Sequence, residues 1–510
     1  MPLALSAGLS ALPIVTILGL MLIWRWSAAR AGLAGLVLAL ALAWLLFGFG
    51  QGGRDLPATR GTAGALLEAV FISLTILWII FPALCIHHLQ VRTGATDHIR
   101  ALLAHVSDDP RIVAIVVAWF FALFLEGVAG FGTPIALAAP LLVGAGFSPI
   151  TAVILVLIGH AVGVSFGAVG TPVMAQEAAT GLPGAQIAAA TAAYHAPLGW
   201  LMLMFMVWLV ARARPEDMAG RGPVWGWALL AGGLFLLPYY LIARFIGPEL
   251  PTLGGALIGG VAFVLIHRAW YARRGQVEAL SLSGRQIVAA SLPYLVLLGL
   301  ILVSRLVPPV TDALRSIEWS WRYADVFSGR IQPLYHPGTL LFLGFLGAAW
   351  MRRTPTGVVW EAMRLSAIQL VGVTLALLAM LALARVMLHA DMITTLATAA
   401  ASAGGIWPFL APFVGVLGSF VTGSATASNI LFSDFQKATA EALGKPVLPL
   451  VAAQGFGAAV GNLICPHNVI AGCATVGLKD REGEILARTL IACLVYAACG
   501  GALALWVYAA

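Results

Sequence analysis

Long apolar runs separated by short polar connections make up most of the chain. A membrane-spanning helix needs about 20 mostly apolar residues. Candidate spans lie at about 3–24, 31–50, 64–85, 111–126, 187–210, 224–243, 251–267, 287–305, 338–350, 365–386, 405–420 and 487–508. The pattern predicts an all-α integral membrane protein, a polytopic helical bundle.

The composition supports lipid as the outer solvent of this chain. Of its 510 residues, 61% are hydrophobic and 10% are charged; soluble domains carry about 25% charged residues. The formal net charge of +7 indicates membrane topology rather than binding to nucleic acid, because the basic residues lie in short connections. The five cysteines form no CxxC pair, so neither a zinc site nor a disulfide framework is expected.

Basic residues predict the orientation, because short cytoplasmic loops are rich in Lys and Arg. Placing all of the basic connections in the cytoplasm gives one consistent topology, with both termini and the segment 306–337 outside. The groups are Arg25 and Arg30; Arg92, Arg100 and Arg111; Arg212, Arg214 and Arg221; Arg268, Arg273, Arg274 and Arg285; Arg352, Arg353 and Arg364; and Lys479, Arg481 and Arg488.

Two stretches, 126–182 and 421–480, are rich in Gly, Pro, Thr, Ser and Asn. Broken backbone at membrane depth is tolerated where it is buried in protein or lines a cavity, and it marks transporter binding sites. In the predicted topology each stretch must begin and end on the same side of the membrane. Two re-entrant hairpins would satisfy this condition, and so would two full crossings. A cytoplasmic connection carrying Lys437 and Lys445 favours re-entrant hairpins.

The two stretches also resemble each other. Gly170-Thr171-Pro172 and the residues after it parallel the segment from Cys465-Pro466-His467 onwards, with one gap. The flanking spans run in opposite directions in the predicted topology. We therefore expect two inverted-topology repeats, 1–215 and 286–510, each with a broken or re-entrant hairpin region and joined by a transmembrane hairpin, 216–285.

Glu126 ends an apolar run and precedes Gly-Val-Ala-Gly-Phe-Gly-Thr-Pro. A charged group at mid-membrane costs about 2.5–3.5 kcal/mol on insertion scales and indicates function. We expect Glu126 to carry a coupling proton; the alternatives are an interfacial carboxylate or one that caps the Gly-rich turn. His160 is a second candidate for proton relay, although a hydrogen-bonded structural role is the more usual one for it and for His195.

Hydroxyl and amide residues gather beside the breaks. A helix that begins at a break points N–H groups and its positive dipole end into the gap, which suits an anion. The alternative is tight helix packing through small residues. Arg385 could bind a carboxylate bidentately or pair with Asp391. The expected substrate-binding residues are Gly132, Thr133, Thr171, Thr422, Gly423, Ser424, Thr426, Ser428, Asn429, Asn462, His467, Asn468 and Arg385.

Enzyme signatures are missing from the sequence. It contains no Walker loop, no GxSxG, no HExxH and no aspartate-rich metal motif, so we expect no catalytic residues, no metal site and no cofactor. Nothing in the sequence indicates an oligomeric state.

Three motifs resemble those of the L-lactate permease family: Glu126-Gly-Val-Ala-Gly-Phe-Gly-Thr-Pro, Phe166-Gly-Ala-Val-Gly-Thr-Pro, and the run from Phe420 to Asn429. Members of that family are bacterial inner-membrane carriers that import lactate, and often glycolate, with protons. The resemblance implies a secondary active transporter for L-lactate, D-lactate or glycolate in the inner membrane.

The chain departs from the family's pattern at a few positions. Ala425 stands where an aspartate is usual, Asn462 where a lysine is usual and His160 where an asparagine is usual, and Arg385 adds a cation. These departures leave open a carrier for another organic anion, such as a dicarboxylate, a sulfonate or an amino acid, and coupling to sodium instead of protons.

Overall fold

Helices of membrane-spanning length account for most of the chain in the computed structural model. The structure describes residues 2–24, 26–51, 54–94, 107, 109–130, 132–213, 224–272, 292, 295–297, 299–304, 306–478 and 481–509. Among these residues, twelve helices are long and apolar enough to cross a membrane. This confirms the polytopic α-helical membrane protein predicted from the sequence.

Parts of the predicted topology cannot be placed on the structure. Nine of the 19 residues of the expected span 287–305 and both ends of the expected linking segment, 216–223 and 273–285, lie outside the described residues. So do the basic positions Arg25, Arg100, Arg214, Arg221, Arg273, Arg274, Arg285 and Lys479.

The described residues of the first half form ten α-helices and one small hairpin. They are α1 (Leu3–Leu22), α2 (Ala28–Leu42), β1 (Phe49–Gln51), β2 (Arg54–Leu56), α3 (Ala58–Arg92), α4 (Pro110–Val128), α5 (Thr133–Gly144), α6 (Pro149–His160), α7 (Gly167–Thr180), α8 (Gly184–Ala213), α9 (Trp225–Phe245) and α10 (Pro251–Ala272). Strands β1 and β2 pair antiparallel, with Phe49 opposite Leu56.

Besides the helical segment Leu295–Ser304, the described residues of the second half form a second hairpin and nine α-helices. They are α11 (Pro308–Arg315), β3 (Trp319–Tyr323), β4 (Phe327–Ile331), α12 (Pro337–Met351), α13 (Thr356–His389), α14 (Met392–Ala401), α15 (Trp407–Thr422), α16 (Ala425–Ala442), α17 (Val447–Gly461), α18 (Pro466–Thr475) and α19 (Glu482–Ala509). Strands β3 and β4 pair antiparallel, with Trp319 opposite Ile331. Helix α12 has 15 residues and spans about 22 Å, less than the expected crossing at 338–350 requires.

The stretch 126–182 takes part in a helical hairpin followed by a broken helix. Helix α4 ends before Gly130 and Gly132, which have φ of +56° and +80°, and α5 runs back against α4. Helix α6 then runs alongside α4, with Gly159 close against the carbonyl of Ala118. It continues through a 3₁₀ turn into α7, where residues 168–170 all have positive φ.

The stretch 421–480 is built in the same way. Helix α15 ends at Gly423, whose φ of +77° turns the chain, and α16 runs back along α15. Ser428 Oγ donates to the carbonyl of Gly415 across this hairpin, at 2.9 Å. Helix α17 then runs alongside α15 and is separated from α18 by a 3₁₀ turn, Asn462–Ile464. Each stretch thus combines one hairpin with one broken helix.

The connection between α16 and α17 corrects one expectation. Lys445 and Pro446 lie beside Tyr508 near the C-terminal end of α19: Tyr508 Oη donates to the carbonyl of Pro446, at 2.5 Å, and Lys445 Nζ is 3.5 Å from the carbonyl of Tyr508. The predicted topology places that end outside, so this connection is not cytoplasmic. Lys437 is not a loop cation, because it donates to the carbonyl of Thr180 at 2.8 Å.

Candidate functional site

The four breaks meet around one small cavity. It is lined by Glu126, Gly130, Gly132, Val164, Gly167, Ala168, Thr171, Pro172, Gly423, Ser424, Ala425, Thr426, Asn462 and Asn468. Its volume of about 30 Å³ leaves room for about two water molecules. An acid the size of lactate does not fit this volume.

Four helices begin at the cavity: α5 after Gly132, the regular part of α7 at Thr171, α16 after Ser424, and α18 two residues before Asn468. The first N–H groups of a helix have no partner within the helix, and they carry its positive dipole end. In α16 the side chain of Ser424 accepts a hydrogen bond from one of these groups, the N–H of Ala427, at 3.3 Å. Such a convergence favours a bound anion.

Glu126 is the ionisable side chain among the described residues that line the cavity. It lies on the last turn of α4, is 5% exposed, and packs against the backbone of the α7 break. A Cβ placed on Gly167 would come within 2.1 Å of Glu126 Oε1. No hydrogen bond or ion pair reaches this carboxyl group from the part of the chain that the structure describes. A buried carboxylate without a cation is costly, and protonation removes that cost.

Two asparagines from the α17–α18 break form the opposite wall. Asn468 Nδ2 donates to Asn462 Oδ1, and Asn468 Oδ1 faces Gly132. His160 lies behind them: its Nδ1 is 2.5 Å from the carbonyl of Val156, and its ring also hydrogen-bonds the side chain of Asn462. His160 therefore reaches the cavity through Asn462 and does not line it.

His195 supports the broken helix from the side. Its Nε2 lies 2.8 Å from Ser165 Oγ on the 3₁₀ turn before α7, and its Nδ1 lies 2.9 Å from Tyr496 Oη on α19. Both ring nitrogens have partners, as expected for a structural histidine.

Several residues expected to bind substrate lie outside the cavity: Thr133, Thr422, Ser428, Asn429, His467 and Arg385. Thr422 Oγ1 donates to the carbonyl of Gly418 within its own helix, and Ser428 spans the α15–α16 hairpin. Asn429 Nδ2 donates to the carbonyl of Pro172 at 3.1 Å and so joins the two stretches. Thr171 does line the cavity, but its hydroxyl donates to the carbonyl of Ala168 at 2.7 Å.

Sequence reasoning missed the cavity residues Val164, Gly167, Ala168 and Pro172, none of which has a polar side chain. Ala168 has φ of +48°, a conformation that alanine adopts rarely and that no local pattern predicts. Of the four departures from the family pattern, Ala425 and Asn462 line the cavity.

Arg385 faces a second, larger space. This vestibule has a volume of about 1010 Å³ and is lined by residues of α3, α7, α13 and the β3–β4 hairpin, among others. Arg385 Nη2 lies 3.6 Å from Asp434 Oδ2, so its acidic partner is Asp434 and not Asp391.

Comparison with known proteins decides the family. The model of the L-lactate permease family matches residues 6–331 and 319–509. The chain belongs to the L-lactate permease family. This permease is 31% identical to the L-lactate permease of Salmonella typhimurium over 96% of this chain and 94% of that one. It is 29% identical to the L-lactate permease of Bacillus subtilis (96% and 93% covered) and to glycolate permease GlcA of Escherichia coli (99% and 96%).

Solved transporters share the fold of this permease. The YdaH transporter of Alcanivorax borkumensis matches with a TM-score of 0.51 and 15% identity over 94% of this chain and 98% of that one. MtrF of Neisseria gonorrhoeae matches with a TM-score of 0.51 and 13% identity, with 96% of each chain covered. The family and the twelve candidate spans make the permease a multi-pass transporter of the bacterial inner membrane and not an enzyme.

Proposed function

We propose that this permease imports a short monocarboxylate (L-lactate, D-lactate or glycolate) together with protons. The observation that carries the proposal is the cavity itself, where four helix N-termini face one buried carboxyl group. The N-termini favour the substrate's carboxylate, and Glu126 is placed to take a proton as that anion arrives. The names of the relatives, L-lactate permease and glycolate permease, support the substrate class.

In this proposal the substrate is held mainly by backbone N–H groups at the two hairpin tips. Gly132, Thr171, Gly423, Ser424 and Thr426 contribute the N-terminal positions, and Asn462 and Asn468 add amide groups from the last break. Asn429 and His160 act from behind the cavity, as a link between the stretches and as a support for Asn462.

The repeat of one hairpin and one broken helix supports two inverted repeats, 1–215 and 286–510, joined by the segment 216–285. Movement of one hairpin tip away from the other would open the cavity to one side at a time. That is the alternating access expected of transporters with broken helices.

Uptake by proteoliposomes tests the substrate and the coupling ion together. Labelled L-lactate, D-lactate and glycolate are offered with an inward proton gradient and without sodium. We expect uphill uptake that an uncoupler abolishes. Uptake of a labelled dicarboxylate, sulfonate or amino acid that lactate and glycolate do not inhibit would assign another anion. Uptake that requires sodium would assign sodium as the coupling ion.

Replacing Glu126 by Gln removes the proposed proton carrier while keeping the size of the side chain. We expect Glu126→Gln to lose at least tenfold in proton-driven accumulation and to keep exchange of internal for external lactate, because exchange needs no net proton movement. Glu441→Gln, an exposed carboxylate on α16, is the matched control. Full accumulation by Glu126→Gln would remove Glu126 from the coupling mechanism.

A further inference from the structure

A group of buried charges lies between the vestibule and the far end of α7. We call it the outer ion cluster: Glu68 on α3, Arg385 and His389 on α13, and Asp434 and Lys437 on α16. His389 Nε2 lies 2.8 Å from Glu68 Oε2, and Arg385 Nη2 lies 3.6 Å from Asp434 Oδ2. With a neutral His389, the two carboxylates balance the two cations.

The cations of this cluster hold the C-terminal end of α7. Arg385 Nη2 donates to the carbonyl of Ala178 at 2.8 Å and to that of Ala179 at 3.3 Å. Lys437 Nζ donates to the carbonyl of Thr180 at 2.8 Å. These carbonyls lack partners within the helix, and a cation there also meets the negative dipole end. The other end of α7 lines the binding cavity, so one helix joins the cluster to the cavity.

The cluster is incompletely hydrogen-bonded. Asp434 Oδ2, Arg385 Nε and His389 Nδ1 are buried and have no hydrogen-bond partner among the described residues, and these three residues are 7%, 7% and 4% exposed, respectively. A structural ion pair normally satisfies its buried atoms, because leaving them unpaired costs stability. These unpaired atoms indicate that the side chains of the cluster change their partners during the transport cycle.

Water reaches the cluster from one side. Glu68 and Arg385 both line the vestibule, and Ser328 of β4 donates its N–H to Glu68 Oε1 at 3.2 Å. Glu68 therefore contacts the β3–β4 hairpin through Oε1 and His389 through Oε2. A proton from the vestibule can pass to Glu68 and His389 without crossing the binding cavity.

We propose that Glu68, His389 and Asp434 form a second proton-binding site of the permease, which Arg385 couples to the cavity through α7. The proposal rests on the proposed function for its transport readout. A proton that enters from the vestibule, whose wall includes Glu68 and Arg385, bonds to a carboxylate oxygen of Asp434, on which the charges of Glu68 and His389 act. Arg385 then lacks its counter-charge, and an unpaired buried cation is strongly unfavourable. The side chain of Arg385 therefore turns toward the vestibule and releases the C-terminal end of α7.

The charges that face this site come from several elements. Asp434 faces Arg385, His389, Lys437 and Glu68, and Asp391, just before α14, faces His389. Around Glu68, the vestibule is also lined by Glu177 of α7, Glu249, Arg315, Glu318, and Arg322 and Arg330 of the β3–β4 hairpin. The variants below therefore alter one charge at a time.

The transport test compares two assays on the same proteoliposomes. We expect Asp434→Asn and His389→Gln to exchange labelled for unlabelled L-lactate within about twofold of the parent, and to lose at least tenfold in accumulation driven by a proton gradient. Asp391→Asn, an exposed carboxylate just beyond α13, should behave like the parent. Normal accumulation in both variants would overturn the proposal, and so would loss of exchange, which would assign the cluster to binding or folding.

A second measurement needs no substrate and stays valid if the proposed substrate is wrong. Hydrogen–deuterium exchange of the last turn of α7 is measured between pH 5 and pH 8, after correction for the intrinsic pH dependence of exchange. We expect faster exchange at low pH in the parent, and the low-pH pattern at every pH in Asp434→Asn. Exchange of this turn that does not change with pH in the parent would overturn the proposal, even if lactate transport is confirmed.

Discussion

At the scale of single residues, Gly167 provides the space that the Glu126 carboxyl group occupies. Gly167 has φ of −59°, which alanine adopts easily, so Gly167→Ala should fold. Its added methyl group would lie 2.1 Å from Glu126 Oε1 and must displace that carboxyl group. We expect proton-driven uptake to fall at least tenfold, about 1.4 kcal/mol. Gly144→Ala, where the methyl group meets open space, is the control; equal uptake rates in the two variants would contradict this assignment.

Single residues also show where sequence reasoning stopped. Glu126, Ser424 and Asn462 were predictable because a polar group in an apolar run needs a reason to be there. The partner of Arg385 was not predictable. Asp391 is six positions along the chain but lies beyond the end of α13, with φ of +56°. Asp434, which pairs with Arg385, comes from another helix, and only tertiary packing brings them together.

At the scale of helices, the cap of α16 should matter for transport more than for stability. Ser424 and Ser148 are both N-cap residues whose side chains accept an N–H three residues on, at 3.3 Å in each case. Replacing either by Ala should cost about 1 kcal/mol in helix stability. We expect Ser424→Ala alone to raise the substrate concentration for half-maximal uptake several-fold, because it lines the cavity and Ser148 does not. A similar change in Ser148→Ala would show that the effect is only structural.

The arrangement of the helices was partly predictable for a physical reason. Composition located both interrupted stretches, and the positive charges predict on which side of the membrane each stretch starts and ends. Neither signal distinguishes two hairpins from a hairpin followed by a broken helix. That choice depends on contacts between helices, such as the hydroxyl of Ser419 donating to the carbonyl of Ala458 at 2.6 Å, which holds α17 parallel to α15. Hydropathy does not encode such contacts.

At the scale of the whole molecule, the apolar composition was enough to predict a polytopic helical bundle, whereas the vestibule was not foreseen. The vestibule depends on the β3–β4 hairpin, which lies in a polar segment without membrane-spanning character. That hairpin contributes arginine and aromatic residues to the vestibule wall, and its N–H at Ser328 contacts the outer ion cluster. The β3–β4 hairpin, which lies in a segment predicted only to be outside the membrane, thus connects the vestibule to the buried charges.

The orientation of the molecule leads to a prediction with opposite results at its two ends. Ser320 is exposed on β3 and lines the vestibule, and Ala145 is exposed in the turn between α5 and α6. Because α6 runs alongside α4, that turn lies at the end where α4 begins, which the predicted topology places in the cytoplasm. We expect a membrane-impermeant maleimide to label Ser320→Cys in intact cells, and Ala145→Cys only after permeabilisation. The parent gives the background, since four of its five cysteines are buried. Labelling of Ala145→Cys in intact cells would mean that α5 and α6 cross the membrane and that the hairpin assignment is wrong.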